Sequence, residues 1–241
     1  MALTLRPNLL GDLRAEADSQ MLDQAFLETP DYRTLVETSD RIVVVGRRGT
    51  GKSALARALE KYWGRSEHAT VVKLAPEEHQ VFGVRPLVQM FGDKFTRVRA
   101  GTRLIWRHAL MMETALAFMP RKAFKDSAEW AFLEPHVAAW ARRGTSIPDR
   151  LRSLMRDVLR AESSPEERIG DLPRILDLTK EEDALAAAVE GINGNVIFLI
   201  DRLDEGYEPD DTGVGLVDGL VQAAIDLRTR ISHGACPEFC V

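Results

Sequence analysis

The apolar positions of this chain repeat with two periods, and the switches between them mark the elements. Leu9, Leu10, Leu13, Ala17, Met21, Leu22, Ala25 and Phe26 recur at helical spacing, so an amphipathic helix is predicted over 9–28, ended by Thr29-Pro30-Asp31. A β-branched run at 42–45 predicts a strand buried on both faces. Ala54, Leu55, Ala58, Leu59 and Tyr62 follow as the apolar side of a helix that Gly64 caps. Two more short apolar runs, 69–74 and 196–200, read as strands, the first stopped by Pro76 and the second delivering Asp201 to its C-terminal end.

Between those two strands the pattern is helical throughout. It runs from Arg85 to Met119, with Pro86 suited to a first turn, Gly101-Thr102 marking a break and Pro120 closing the stretch. Short helical pieces follow over 121–168, one of them opened by Ser146 and Pro148. Thr179 with Glu181 and Glu182 starts another helix, and 214–231 is a further one. The expected fold is α/β: a parallel sheet with helices on both faces and a helical insertion. The boundaries are 1–84 for the first half of the core, 85–170 for the insertion and 171–241 for the second half. The tail SHGACPEFCV is too short and too interrupted by Pro237 for a central strand, which leaves 42–45, 69–74 and 196–200 as the strands.

Composition changes this picture little. The chain has 241 residues and 45% apolar content, enough for one large or two small domains, and no apolar run long enough to span a membrane. The N-terminal stretch lacks the apolar core of a signal peptide, and the cysteines, Cys236 and Cys240, are too few for a disulfide framework, so a cytoplasmic protein is expected. Charge is more informative. The net value is −5, yet residues 85–160 carry 15 Lys and Arg against 7 Asp and Glu, so this segment is +8 and the remainder −13. Within it, Arg152, Arg156 and Arg160 fall at i, i+4 and i+8, a stripe that reads either as a phosphate-backbone contact or as a solvated helix face.

The strongest chemical signal sits between the 42–45 run and its helix. Gly46, four residues, Gly51, Lys52 and Ser53 follow the P-loop spacing. Glycines at 46, 49 and 51 let successive N–H groups close around an anion, and the helix N-terminus adds the positive end of its dipole. Lys52 supplies a mobile charge for β- and γ-phosphates, and the Ser53 hydroxyl is a hard ligand for Mg²⁺. The binding set is therefore Gly46, Arg47, Arg48, Gly49, Thr50, Gly51, Lys52, Ser53 and Ala54, with ATP and Mg²⁺ as the expected ligands. Upstream, Tyr32 either stacks on a nucleotide base or packs on the preceding helix.

Asp201 completes the pattern. Ligands of open parallel sheets bind at the C-terminal ends of strands, where a carboxylate can hold the Mg²⁺ that bridges nucleotide phosphates. Asp204 and Glu205 follow in DRLDEG as candidates for the base that orients or deprotonates water.

The stretches GRRGTGKSAL and VIFLIDRLDEG resemble a bacterial P-loop ATPase family related to the KAP and STAND NTPases, including NACHT modules. The resemblance covers roughly 9–75 and 180–232. It implies a Mg²⁺ role for Asp201 and positions near the hydrolytic water for Asp204 and Glu205, with Glu205 the preferred base. Arg202 departs from relatives that place an acid directly after the metal-binding Asp. In such relatives the strand after the Asp-bearing strand lies between it and the P-loop strand. The tail offers no such strand, so the expectation is a chain truncated after the 214–231 helix, with that central slot empty.

The function implied is Mg²⁺-dependent ATP binding and hydrolysis by a motor or switch of a larger assembly, in defence or nucleic-acid metabolism. The alternatives are a nucleotide-dependent binding switch with little turnover, and a small-molecule kinase. ATP rather than GTP rests on the lack of an Asn-Lys-x-Asp base-reading motif. Expected partners are ATP, a protein partner or a second copy, and nucleic acid through Arg152, Arg156 and Arg160, with no membrane.

Overall fold

The computed structural model describes residues 26–37, 43–47, 49–190, 192, 195–203, 208–231 and 238–240. In chain order the elements are α1 (Pro30–Glu37), α2 (Lys52–Trp63), β1 (Ala69–Leu74), α3 (Glu78–Val88), a 3₁₀ turn (Gln89–Phe91) and α4 (Phe95–Phe118). Then come α5 (Lys122–Lys125), α6 (Trp130–Ala141), α7 (Ile147–Val158), α8 (Pro165–Ile175), α9 (Leu178–Val189), β2 (Asn195–Ile200), α10 (Asp211–Ile231) and β3 (Glu238–Cys240).

The protein is helix-rich α/β. Its sheet is parallel, in the order β1-β2-β3, with Ala69 opposite Asn195 through Leu74 opposite Ile200, and Ile197 opposite Glu238 through Leu199 opposite Cys240. Side chains alternate across β2, and the two sets serve different cores. Val196, Phe198 and Ile200 join the large cluster built with α3, α4 and α6–α10, whereas Ile197 and Leu199 pack with Leu59 of α2 and with Tyr32 and Leu35 of α1.

Two expectations about the sheet are corrected. Residues 43–45 form no ladder, and Val43 and Val45 are 45% and 90% exposed, so this run is not a strand buried on both faces. The C-terminal tail, expected to leave a slot empty, instead supplies β3 along the edge of β2 at 197–199. Strand formation needs a backbone partner, and the edge of β2 opposite β1 is taken by β3. Residues 43–45 are therefore not paired to 197–199.

Up to residue 25 the helix predicted over 9–28 lies outside the described residues; the marks that follow it are used by the fold in its own way. Thr29-Pro30 opens a helix, because Thr29 Oγ1 accepts the Tyr32 amide (3.2 Å) and Pro30 takes the first helical position, where no N–H is needed. Pro86 lies inside α3, which begins earlier at Glu78 behind a Glu77–Gln80 capping box. Gly101-Thr102 does not break α4. A Cβ at Gly101 would come within 2.5 Å of the Phe91 ring, so the glycine is a packing notch, and the chain turns at Gly92, with φ 102°.

The insertion is fastened by a close helix–helix contact between α4 and α10. Gly215 and Gly219 of α10 lie against Val98, Thr102 and the Arg103 backbone of α4, and Thr102 Oγ1 donates to the Gly215 carbonyl (2.9 Å). Charge follows the same seam. Arg103 makes a two-point bond to Asp226 (2.6 Å each), Arg107 reaches Glu182 (2.7 Å), Arg97 pairs with Glu166, and Arg85 pairs with Glu208 (2.8 Å) and Asp210. Part of the +8 of residues 85–160 is thus met by acids of α8, α9, α10 and the segment before α10.

Candidate functional site

The glycine-rich loop organises itself before any ligand is considered. The Thr50 amide and hydroxyl both donate to the Arg47 carbonyl (3.3 and 2.8 Å), closing a turn in which Gly49 has φ 85°. That value suits the third position of a type II turn, which disfavours a Cβ. Gly51 follows at φ 87° and ψ 16° as the N-cap of α2, with no side chain capping the helix. The first N–H groups of α2 are thereby left to face whatever occupies the loop. Lys52 Nζ donates to the carbonyls of Gly46 (2.8 Å) and Arg47 (3.2 Å), so its charge is held over the loop rather than buried in the core.

Asp201 arrives from the other side. Its amide continues the β1-β2 ladder by donating to Leu74 O (2.9 Å), which fixes it at the C-terminal end of β2. Arg202 then takes φ 60°, an uncommon left-handed value for a non-glycine residue, and turns the chain off the sheet. Gly46, Lys52, Asp201 and Arg202 line one cavity of about 270 Å³, whose remaining wall is apolar: Val45, Leu55, Leu199 and Val217 among others. The volume approaches the roughly 300–1,000 Å³ of small-ligand sites.

Of the residues expected from sequence, the structure brings Gly46, Lys52 and Asp201 together, with Arg47, Gly49, Thr50 and Gly51 in the same loop and Ser53 and Ala54 in the first turn of α2. Arg48, Asp204 and Glu205 lie outside the described residues. Mg²⁺ suits this donor set: a serine hydroxyl and a strand-end carboxylate are hard oxygen ligands, and the ion draws the rest of its shell from phosphates and water. Among the described residues no cluster of three or more His, Cys, Asp or Glu is placed to hold a metal on its own.

The arginine stripe is corrected. α7 ends at Val158 and Leu159 is extended, so Arg160 leaves the helical face. Arg152 and Arg156 remain exposed on α7, and the Arg152 guanidinium lies 3.4 Å from where a Cβ on Gly83 would stand. Tyr32 packs edge-to-face against Phe26 (5.2 Å) and against Tyr62 of α2 (6.5 Å).

Two buried polar networks escaped the sequence. Glu181, read there as a first-turn acid, is fully buried, with Oε2 2.7 Å from His108 Nδ1 and Oε1 2.9 Å from His136 Nδ1. Burial opposes the Glu181 charge, but the two imidazoles outweigh it and hold the carboxyl below its ordinary value, while the bond to Glu181 raises His136. Glu113 accepts from Trp140 Nε1 (2.8 Å) and from Arg150 (2.5 Å). Only the coincidence of residues on α4, α6, α7 and α9 creates these sites, and no short motif signals it.

No protein-family model and no solved structure matches the chain. It is 38% identical over 229 residues, 95% of its length, to a protein of Escherichia coli (strain K12) named "Putative transposon gamma-delta 80.3 kDa protein", and the match covers 33% of that relative. The chain therefore spans about a third of the length of the curated relative it matches. Among the described residues no helix is long and apolar enough to cross a membrane.

Proposed function

We propose that this chain is a Mg²⁺-dependent ATP-binding and hydrolysing module of the P-loop type, related to the KAP and STAND NTPases and acting as motor or switch within a larger assembly. The observation that carries the reading is the meeting of Gly46, Lys52 and Asp201 at one cavity, with Lys52 held over a loop whose turn is made by the left-handed Gly49 and Gly51. The parallel order supports it too, because β3 lies beside β2 on the side where a P-loop strand would follow.

In this reading the loop amides and Lys52 hold the phosphate chain, Ser53 and Asp201 hold Mg²⁺, and Glu205 or Asp204 positions the attacking water. The metal supplies charge neutralisation between the phosphates. Lys52 and the loop orient the terminal phosphoryl group, and the apolar wall of Leu55, Leu199 and Val217 limits water around it. A transposon assignment in the name of the E. coli relative fits an assembly working on nucleic acid.

The test is titration of labelled ATP into wild type and Lys52→Ala, with phosphate release measured alongside. The charge of Lys52 serves the ligand rather than the core, so the variant is expected to fold normally and to lose affinity at least ten-fold. Unchanged affinity sinks the proposal. A second reading, a switch with little turnover, draws on Arg85, which ties the insertion to Glu208 and Asp210 beyond Asp201. Tight binding without release, unaffected by Glu205→Gln, favours it.

A further inference from the structure

The glycines of the 46–51 loop are there for two different reasons. Gly49 and Gly51 have φ 85° and 87°, which strains any side chain, yet a Cβ on either would meet nothing within 4 Å. Gly46 lies outside that left-handed region, and what opposes a side chain there is a neighbour. A Cβ on Gly46 would stand 2.7 Å from Thr50 Oγ1, while Thr50 Cβ and Lys52 Cδ would be at ordinary contact distances of 3.7 and 3.8 Å. Glycine at 46 makes room for one atom, the oxygen of the Thr50 hydroxyl.

That hydroxyl is already in use. Three donors converge on the Arg47 carbonyl: Thr50 Oγ1 at 2.8 Å, Lys52 Nζ at 3.2 Å and the Thr50 amide at 3.3 Å. A carbonyl oxygen has two lone pairs, so the three compete. The two longer contacts come from an ammonium and a loop N–H, the donor types that an anion in such a nest draws to itself. Once they turn to a phosphate, the hydroxyl is the bond that still holds the Arg47 carbonyl, and with it the closed turn through Gly49. A methyl group at 46 would force Thr50 to rotate about χ1, which takes the hydroxyl off that carbonyl. Gly46 and Thr50 therefore act on one bond.

We infer that Thr50 is a positioning residue for nucleotide binding: its hydroxyl latches the loop through the Arg47 carbonyl while Lys52 leaves that carbonyl for the ligand, and Gly46 leaves the latch its room. The inference rests on the P-loop reading. It gives Gly46 a role distinct from that of Gly49 and Gly51, one set by a side chain four residues on rather than by the approach of backbone to an anion.

The experiment uses the full chain. Mg-ATP affinity is titrated for wild type, Thr50→Ala, Thr50→Val, Thr50→Ser, Gly46→Ala and the double variant Gly46→Ala with Thr50→Ala, and hydrogen exchange across 46–53 is followed without nucleotide. Losing one hydrogen bond of this kind weakens binding by about two- to ten-fold, so Thr50→Ala, Thr50→Val and Gly46→Ala should each lose about five-fold. Each should also exchange faster across the loop, with Tm unchanged. Thr50→Ser keeps the hydroxyl and should restore both affinity and protection. The double variant separates one shared bond from two independent effects: sharing predicts a loss of about five-fold again, independence about 25-fold. An additive double variant overturns the inference. So does a Thr50→Ala protein that binds or exchanges like wild type, a Thr50→Ser protein that behaves like Thr50→Ala, or a loss of affinity that comes with a lower Tm. Those outcomes leave the P-loop reading standing, whereas a wild type that binds no Mg-ATP defeats that reading and the inference with it.

Discussion

Replacing Gly219 by Ala should destabilise the protein, although the same change in most helices stabilises. Gly219 lies inside α10, and Ala is favoured over Gly in a helix interior by about 1 kcal/mol. Against this, a Cβ there would stand 2.1 Å from Thr102 Oγ1 and 2.9 Å from both Thr102 Cβ and the Arg103 backbone nitrogen. A hydroxyl can rotate, but the amide of α4 cannot, so the helices must part along their seam. Overpacking of this kind costs about 1–3 kcal/mol, and the Thr102–Gly215 hydrogen bond, about 1 kcal/mol more, is strained with it. The net loss is about 2 kcal/mol, which for a chain of this size lowers Tm by about 4–8 °C. Gly170 is the matched control: it lies inside α8, is exposed, and has nothing within 4 Å of its added Cβ. Gly170→Ala should therefore raise Tm by about 2 °C, since only the propensity acts. Thermal melts by circular dichroism or calorimetry compare the three proteins. A Gly219→Ala variant melting at or above wild type refutes the close α4–α10 contact.

Two further outcomes come from the buried networks. His136 is raised by Glu181, so its contribution is complete below the ordinary imidazole value of 6.5 and is lost as pH climbs through the raised one. Glu181 is lowered, so its contribution is complete above 4.5 and is lost as pH falls through the lowered value. Stability from this triad should peak between those two values, and Glu181→Gln should flatten the Tm profile across them; a variant that keeps the wild-type profile counts against the triad. Glu113→Ala leaves Trp140 Nε1 without its acceptor and Arg150 without its carboxylate inside the insertion, at a cost of about 3–5 kcal/mol, read as a lower urea midpoint with unchanged slope. A loss below about 1 kcal/mol would show the pair to be solvent-screened.

Short motifs and apolar runs with clear stops were legible in the sequence. The 69–74 strand was read as observed, 196–200 to within one residue, and α2 from its Gly51 start to its Gly64 cap, because each is fixed by residues adjacent in the chain. The Ser146 N-cap of α7 was legible for the same reason: its hydroxyl accepts from Asp149 N, three residues on. What failed depends on distant partners. A β-branched run at 43–45 predicts a strand only if a ladder awaits it, and a three-residue strand at 238–240 carries almost no apolar signal of its own. Gly101 was read as a break because its use, admitting Phe91, lies in another element; the contacts of Gly215 and Gly219 with Val98 and Thr102 likewise depend on a distant element. The candidate site was legible in its loop, its lysine and its strand-end carboxylate; its apolar wall was not, since Val217 and Val221 reach it only through the fold.

The uneven charge takes on a different meaning once the ion pairs are in view. A +8 segment facing a −13 remainder suggested an external anionic partner, yet Arg85, Arg97, Arg103 and Arg107 meet acids of the same chain. Several of these pairs are partly exposed and individually weak, so they set which faces meet rather than how strongly. The strength comes from the apolar seam and from the bonds that flank it. Asp201 is held to β1 through Leu74 O, Asp210 and Glu208 are held by Arg85, Asp211 accepts the Phe95 amide at the start of α4, and Gly215 accepts Thr102. The backbone that leaves the candidate metal carboxylate is therefore tied to the insertion three times within a few residues. The boundaries near residues 85 and 170 separate patterns of sequence, not independent bodies. α3 crosses the first of them, and α4 shares its buried face with α10. If phosphate chemistry at Lys52 and Asp201 moves the end of β2, the insertion is the part of the molecule placed to respond.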